Sequence, residues 1–178
     1  MKIREVLIGS RKDNALWKMI RKEWPGKGNG EFEARLRRCA GDKRFFTAAE
    51  VIIGHRKVIG GCRLSNHPSC LTGFLRKFPS LKNKNLIRGE DFVILPEMRG
   101  KGLGEKFLGR IKKRYLRTFD GIIFHSRMPY VREFYQRLGA EVLFDGRKFG
   151  QRYCRAFKKN VLKKRSIFLF SKKPSKFK

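Results

Sequence analysis

Six consecutive residues, Arg99-Gly100-Lys101-Gly102-Leu103-Gly104, have the composition of an anion cradle. Glycines let a backbone turn tightly and approach a ligand closely. The preceding residues, Phe92-Val93-Ile94-Leu95-Pro96, form an apolar run short enough for a buried strand. Leu103, Phe107, Leu108, Ile111 and Tyr115 behind the run fall on one helical face. A strand, turn and helix in that order aim unpaired N–H groups and the positive end of a helix dipole at one point, which suits a pyrophosphate. Spacing alone does not separate this from a turn that binds nothing. The run lacks the Lys-Ser/Thr ending of a P-loop, and it lies mid-chain, without the first βα unit of a dinucleotide fold.

The elements that must position this turn belong to a chain of 178 residues, enough for one domain with its own core. No apolar stretch is long enough to span a membrane and no leader peptide is evident, so a soluble cytoplasmic protein is expected. Cys39, Cys62, Cys70 and Cys154 form no C-x-x-C pair and no histidines cluster, so no metal site is expected and the thiols read as small buried hydrophobes. The charge is more telling: 45 Lys and Arg against 15 Asp and Glu leave +30, far beyond what solubility requires. A polyanionic partner follows. The excess is densest after Asp145, the last acid, where thirteen basic side chains follow, interleaved with Phe149, Tyr153, Phe157, Phe168 and Phe170 that can pack or stack on bases.

Along the chain, Asp13 to Trp24 reads as a helix capped by Asp13 and stopped by Pro25-Gly26. A second, short helix carries Phe32, Leu36 and Cys39 as its apolar positions and Arg35, Arg37 and Arg38 on its surface. Phe45 to Gly54 and Val58 to Leu64 read as a hairpin. Between Ser65 and Arg88 periodicity fails, and a long loop, or a loop with one helical turn, is expected to carry the basic pair Lys82 and Lys84. Gly121 to Ser126 reads as a buried strand, Tyr130 to Leu138 as a helix ended by Gly139, and Glu141 to Phe144 and Gln151 to Lys159 as closing strands. Domain bounds of 1–160 for the folded unit and 161–178 for a basic C-terminal tail are expected.

Two blocks resemble the GNAT superfamily of acyl-CoA N-acyltransferases. Val93-Ile94-Leu95-Pro96-Glu97-Met98-Arg99-Gly100-Lys101-Gly102-Leu103-Gly104 is similar to its V-x-P-x-x-R-G-x-G-x-G signature. Glu133-Phe134-Tyr135-Gln136-Arg137-Leu138-Gly139-Ala140 resembles its later fY-x-x-x-G-F/A block. The resemblance implies an α/β (α+β) fold: a mixed, mostly antiparallel sheet of six or seven strands flanked by four helices. It implies acetyl-CoA, or another acyl-CoA, as co-substrate. The N–H groups of Gly100, Lys101, Gly102, Leu103 and Gly104 would hold the pyrophosphate, with charge from Arg99 and Lys101. Main-chain groups of Val93, Ile94 and Leu95 would pair with the pantetheine arm, and those around Ile94 would polarise the thioester carbonyl. Tyr135 would be the general acid. Met128 stands where many members keep an asparagine facing the cofactor. No base stands out, with Glu90, Asp91 and His125 as the candidates. That gap matters less for an α-amino acceptor, with a pKa of about 7.7 to 8.0, than for a lysine near ~10.4.

Fifteen acids among forty-five bases can hardly line a site for polyamines or basic protein tails, so an amine carried on a nucleic acid is the expected acceptor. Small basic members of the superfamily include toxins that acylate aminoacyl-tRNA, and this chain is similar to them in size, charge and placement of Tyr135. DNA base modification of the phage Mom type, acetylation of a ribosomal or other nucleic-acid-bound protein, and a non-catalytic nucleic-acid-binding module are the alternatives. The expected nucleic-acid contacts are Arg35, Arg37, Arg38, Lys82 and Lys84, together with Lys158, Lys159, Lys163, Lys164 and Arg165. A homodimer and an acidic antitoxin-like protein are admitted as partners.

Overall fold

The computed structural model describes residues 1–23, 31–126, 131–145 and 166–172. Seven strands form one sheet in the order β1-β2-β3-β4-β5-β7-β6, antiparallel throughout except for the parallel pair β4 and β5. The β2 (Thr47–Gly54) and β3 (Lys57–Ser65) hairpin turns at His55 and Arg56, whose φ values of 47° and 63° match the twist of paired strands. On its other edge β2 pairs with β1 (Lys2–Val6), a strand not expected from sequence because its charged KIREV pattern carries little hydrophobic alternation.

α1 (Arg11–Glu23) lays Leu16, Trp17 and Ile20 on Ala49, Val51 and Val93 at one face of the sheet. Asp13 is not the cap. It sits in the first turn, accepts the Gly9 N–H at 2.8 Å, and forms a buried ion pair with Arg63 of β3 at 2.8 Å, beneath the Trp17 ring. Removing either charge would strand the other in the core. α2 (Glu31–Gly41) packs on the same face through Leu36 and Cys39.

The segment expected as a loop contains a further helix, α3 (Pro68–Leu75), and a 3-10 turn at Pro79–Leu81. Its Leu71, Phe74 and Leu81 bury against Leu86, Ile123, Ile167 and Leu169, so tertiary packing stabilises an eight-residue helix too short to show a clear period. The described helices therefore number five, one more than the resemblance implies. α4 (Leu103–Tyr115) and α5 (Val131–Arg137) cover the opposite face, over Ile52, Ile87, Ile122, Phe124, Phe168 and Phe170.

β4 (Leu86–Ile94) begins earlier than the apolar run indicated, β5 (Gly121–Ser126) has the expected bounds, and β6 (Glu141–Asp145) ends one residue later. The expected strand Gln151 to Lys159 lies outside the described residues. The C-terminal tail needs correction, because Ser166–Ser171 is β7, inserted between β5 and β6 in the sheet. Ile167, Phe168, Leu169 and Phe170 are all buried, since a strand covered on both faces reads as a continuous apolar run rather than an alternation. Phe168 and Phe170 are thus core residues, not stacking platforms for bases.

Candidate active site

The site starts from an irregularity in β4. Gly61 of β3 pairs with Val93 and Arg63 with Glu90, so Asp91 and Phe92 together oppose the single residue Cys62. This is a β-bulge, and Asp91 absorbs it with a φ of 59° while its side chain stays buried. On the other edge, pairing with β5 runs from Leu86/Gly121 to Gly89/Phe124 and stops. Beyond that point β4 and β5 diverge. Among the described residues the β4 backbone from Phe92 to Leu95 has no ladder partner on the β5 side, which leaves main-chain groups for an extended ligand.

β4 leads into a 3-10 turn at Pro96–Met98 and then into the glycine run. Gly100 and Gly102 have φ values of 73° and 68°, and a Cβ on either would meet no atom within 4 Å. Backbone conformation, not space inside the protein, demands glycine there. Gly102 is the N-cap of α4, and the first intrahelical bond reaches back from Lys106 N–H to Gly102 C=O, leaving the N–H groups of Leu103, Gly104 and Glu105 directed out of the helix start. Open space, paired left-handed glycines and unpaired donors together fit a pyrophosphate. Gly104 serves packing instead, since its Cβ would approach Phe134 Cζ at 3.0 Å and its absence permits α4 to lie against α5.

Arg99 does not contribute free charge to this cradle. Its Nε donates to the Ile94 carbonyl at 2.9 Å and its Nη2 pairs with Glu23 at the end of α1, which ties the turn to β4 and α1. The positive potential at the turn comes from Lys101 and the α4 dipole. Gly102→Ala places a Cβ on a left-handed residue at a cost of about 1–2 kcal/mol. The expected result is CoA binding weakened by roughly tenfold in calorimetric titration, as the turn relaxes out of the left-handed conformation to shed that strain, with a melting temperature lowered by no more than about 2–8 °C.

Tyr135 projects from α5 into the core and is 2% exposed. Its ring lies 4.7 Å from that of Phe168 and stacks at 5.5 Å on that of Phe124, with Phe134 and Phe170 completing the aromatic wall. Burial, with a smaller contribution from the Cys62 thiol, pushes its phenol well above the ordinary value, so it is protonated at neutral pH. Phe124 ends the β4–β5 pairing, so the phenol stands beside the point where the strands part.

The three candidate bases are elsewhere. Side chains alternate along β5, so His125 is on the face opposite Phe124, where its ring lies 6.3 Å from that of Phe74 in α3. Glu90 pairs with Arg88 at 2.5 Å and with Arg35 of α2 at 3.7 Å, which commits its charge and also that of Arg35. Asp91 is the buried bulge residue. The phenol therefore lies on the opposite face of the sheet from His125 and Glu90, whereas the Asp91 charge is felt by Cys62 in the core on the phenol's side. Of the other basic residues, Arg37, Arg38, Lys82 and Lys84 are exposed, whereas Lys158, Lys159, Lys163, Lys164 and Arg165 lie outside the described residues, as does Met128. Two positions that matter carry little signal in the sequence. Glu23 gives none, since its partner is 76 positions away, and the bulge at Asp91 has only the neighbouring Gly89 as a local hint.

The acetyltransferase (GNAT) family model matches residues 13–140. A search of curated protein sequences finds no match. Similar solved structures include Tetrahymena GCN5, at 12% identity, 98% coverage of both chains and a TM-score of 0.62. They also include aminoglycoside 6'-acetyltransferase type Ii, at 14% identity, 96% and 97% coverage and a TM-score of 0.62. N-acetylglutamate synthase from Neisseria gonorrhoeae, solved with coenzyme A and N-acetyl-glutamate, matches at 10% identity and a TM-score of 0.60, with 96% of this chain covering 35% of that one. A glycine cradle at the start of α4, a bulged β4 parting from β5 and a family match over most of the sheet lead to one conclusion: this chain belongs to the GNAT acetyltransferase family and is an acyl-CoA-dependent N-acyltransferase.

Proposed function

We propose that the enzyme transfers an acetyl group from acetyl-CoA to the α-amino group of aminoacyl-tRNA. The observation that carries the acceptor is the charge of +30, joined to exposed cations on α2 and on the segment before β4. The donor enters over the α4 and α5 face, its pyrophosphate on the N–H groups from Gly100 to Gly104 and its pantetheine arm along Val93, Ile94 and Leu95. The acceptor amine reaches the thioester where β4 and β5 part. The neutral amine attacks the thioester carbonyl carbon, the tetrahedral intermediate loses its ammonium proton to water, the C–S bond breaks as Tyr135 gives its proton to the departing thiolate, and the tyrosinate regains a proton from solvent. An α-amino group keeps a large neutral fraction near pH 7.7 to 8.0, roughly its own pKa, so no dedicated base is required and Glu90 can remain an ion-pair partner.

The test is acetyl-CoA consumption measured with aminoacyl-tRNA, uncharged tRNA, duplex DNA and ribosomes. Turnover that depends on aminoacyl-tRNA, with acetylated aminoacyl-tRNA as product, is the expected result. Turnover with DNA or ribosomes alone would overturn this acceptor in favour of a base or a ribosomal protein. Binding of nucleic acid without turnover on any of them would indicate a binding module.

A further inference from the structure

α4 carries a row of cations that the family chemistry does not use. Lys106, Arg110 and Lys113 are spaced i, i+4, i+7, and Arg117 extends the row just past the helix end. At 100° per residue all four fall within about 60° of arc, directly away from the buried side formed by Phe107, Leu108, Ile111 and Tyr115. All four are exposed and none lies within ion-pair or hydrogen-bond distance of a described residue, although the Arg110 charge is felt by the Glu50 carboxylate. The nearest acid on the helix, Glu105, lies off the row and is paired with Arg137 at 3.2 Å.

Gly109 sits beside the same row. It is exposed in mid-helix, where glycine is unfavourable, and a Cβ there would meet nothing within 4 Å. Nothing in the protein explains it. A bare stretch of helix flanked by cations lets a bulky anionic polymer approach the backbone closely.

We infer that the outer ridge of α4, from Lys106 to Arg117, is a docking track for the phosphate backbone of a polynucleotide, which it guides toward the donor cradle. The row extends about 16 Å at 1.5 Å per residue, the rise of about five phosphates on one strand. A membrane surface is the poorer fit, because the exposed large apolar side chains among the described residues are Met1 and Leu7, neither on α4. The inference rests on the reading of a nucleic-acid-borne acceptor, and it relocates the main grip from the tail and α2 to the helix that starts at the cradle.

The experiment is the salt dependence of unfractionated tRNA binding by the wild type, by the triple variant Arg110→Gln/Lys113→Gln/Arg117→Gln, and by Arg37→Gln/Arg38→Gln/Lys82→Gln/Lys84→Gln. Each phosphate contact contributes about 0.7 to 0.9 to the slope of log K against log salt, so the α4 variant should flatten the slope by about 2 to 3. Coenzyme A binding should be unchanged, since all three residues lie beyond the first turn of α4. Gly109→Gln supplies an independent arm: it should raise the melting temperature and yet weaken tRNA binding, opposite signs that a solvated helix face would not give. An unchanged slope in the α4 variant, with the loss confined to the α2 variant, overturns the docking track but leaves the nucleic-acid reading standing. Wild-type binding that is absent or flat in salt overturns both.

Discussion

Tyr135→Phe is expected to lower acyl transfer to the true acceptor by roughly 10²-fold or more while leaving CoA affinity unchanged, since general acid catalysis is worth about 10² to 10⁴. The substitution removes one hydroxyl and keeps the ring that packs on Phe124, Phe168 and Phe170, so the melting temperature should be held. The sign of the pH effect follows from burial. An acid works in its protonated form, and a phenol raised above its ordinary value near ~10 stays protonated across the neutral and mildly alkaline range. The wild-type profile should therefore show no alkaline loss attributable to Tyr135 below about pH 10, and any rising limb belongs to deprotonation of the acceptor amine. A variant with full turnover would make Tyr135 a core residue and no more.

Gly89→Ala is expected to be among the most damaging single methyl additions in the described sheet. A Cβ at that position would lie 2.2 Å from Phe124 Cε1 and 2.4 Å from its Cζ, with the Phe124 ring held against Tyr135 and Phe170. The ring cannot yield without moving its neighbours. Overpacking of this kind costs about 3 kcal/mol, which for a domain of this size lowers the melting temperature by roughly 6–12 °C. Because Phe124 also supports Tyr135 where β4 and β5 part, turnover should fall beyond what lost stability explains. Phe124→Leu in the same chain should recover part of the loss, with a coupling of about 1 kcal/mol or more in a double-mutant cycle. A melting temperature equal to the wild type would remove this account of Gly89.

Much of the candidate donor site was legible in the order of residues because its determinants are local. A glycine needed for a left-handed φ at 100 and 102, an apolar run before it and a 3.6-residue period after it all lie within some thirty positions. The later block around Tyr135 is likewise one short helix with its own stop at Gly139, whose φ is 82°. What lay beyond reach was pairing across the chain. Arg99 looks like a free charge until Glu23 is brought against it, Glu90 looks like a base until Arg88 and Arg35 enclose it, and Asp13 looks like a cap until Arg63 claims it.

β7 and α3 show the same limit at the level of whole elements. Ser166–Ser171 sits between basic residues that dominate any window of composition, so its burial is visible only when β5 and β6 flank it. α3 has too few turns to display a period and owes its existence to the strands it covers. Residue order alone was enough to mark Arg99 to Gly104 as a glycine turn between a strand and a helix and to set a net charge that favours polyanions, because backbone conformation and net charge follow from local residue types. Long-range folding settled which charges remain unpaired and which face of the sheet each reactive group occupies, because ion pairing and strand order depend on residues far apart in the chain.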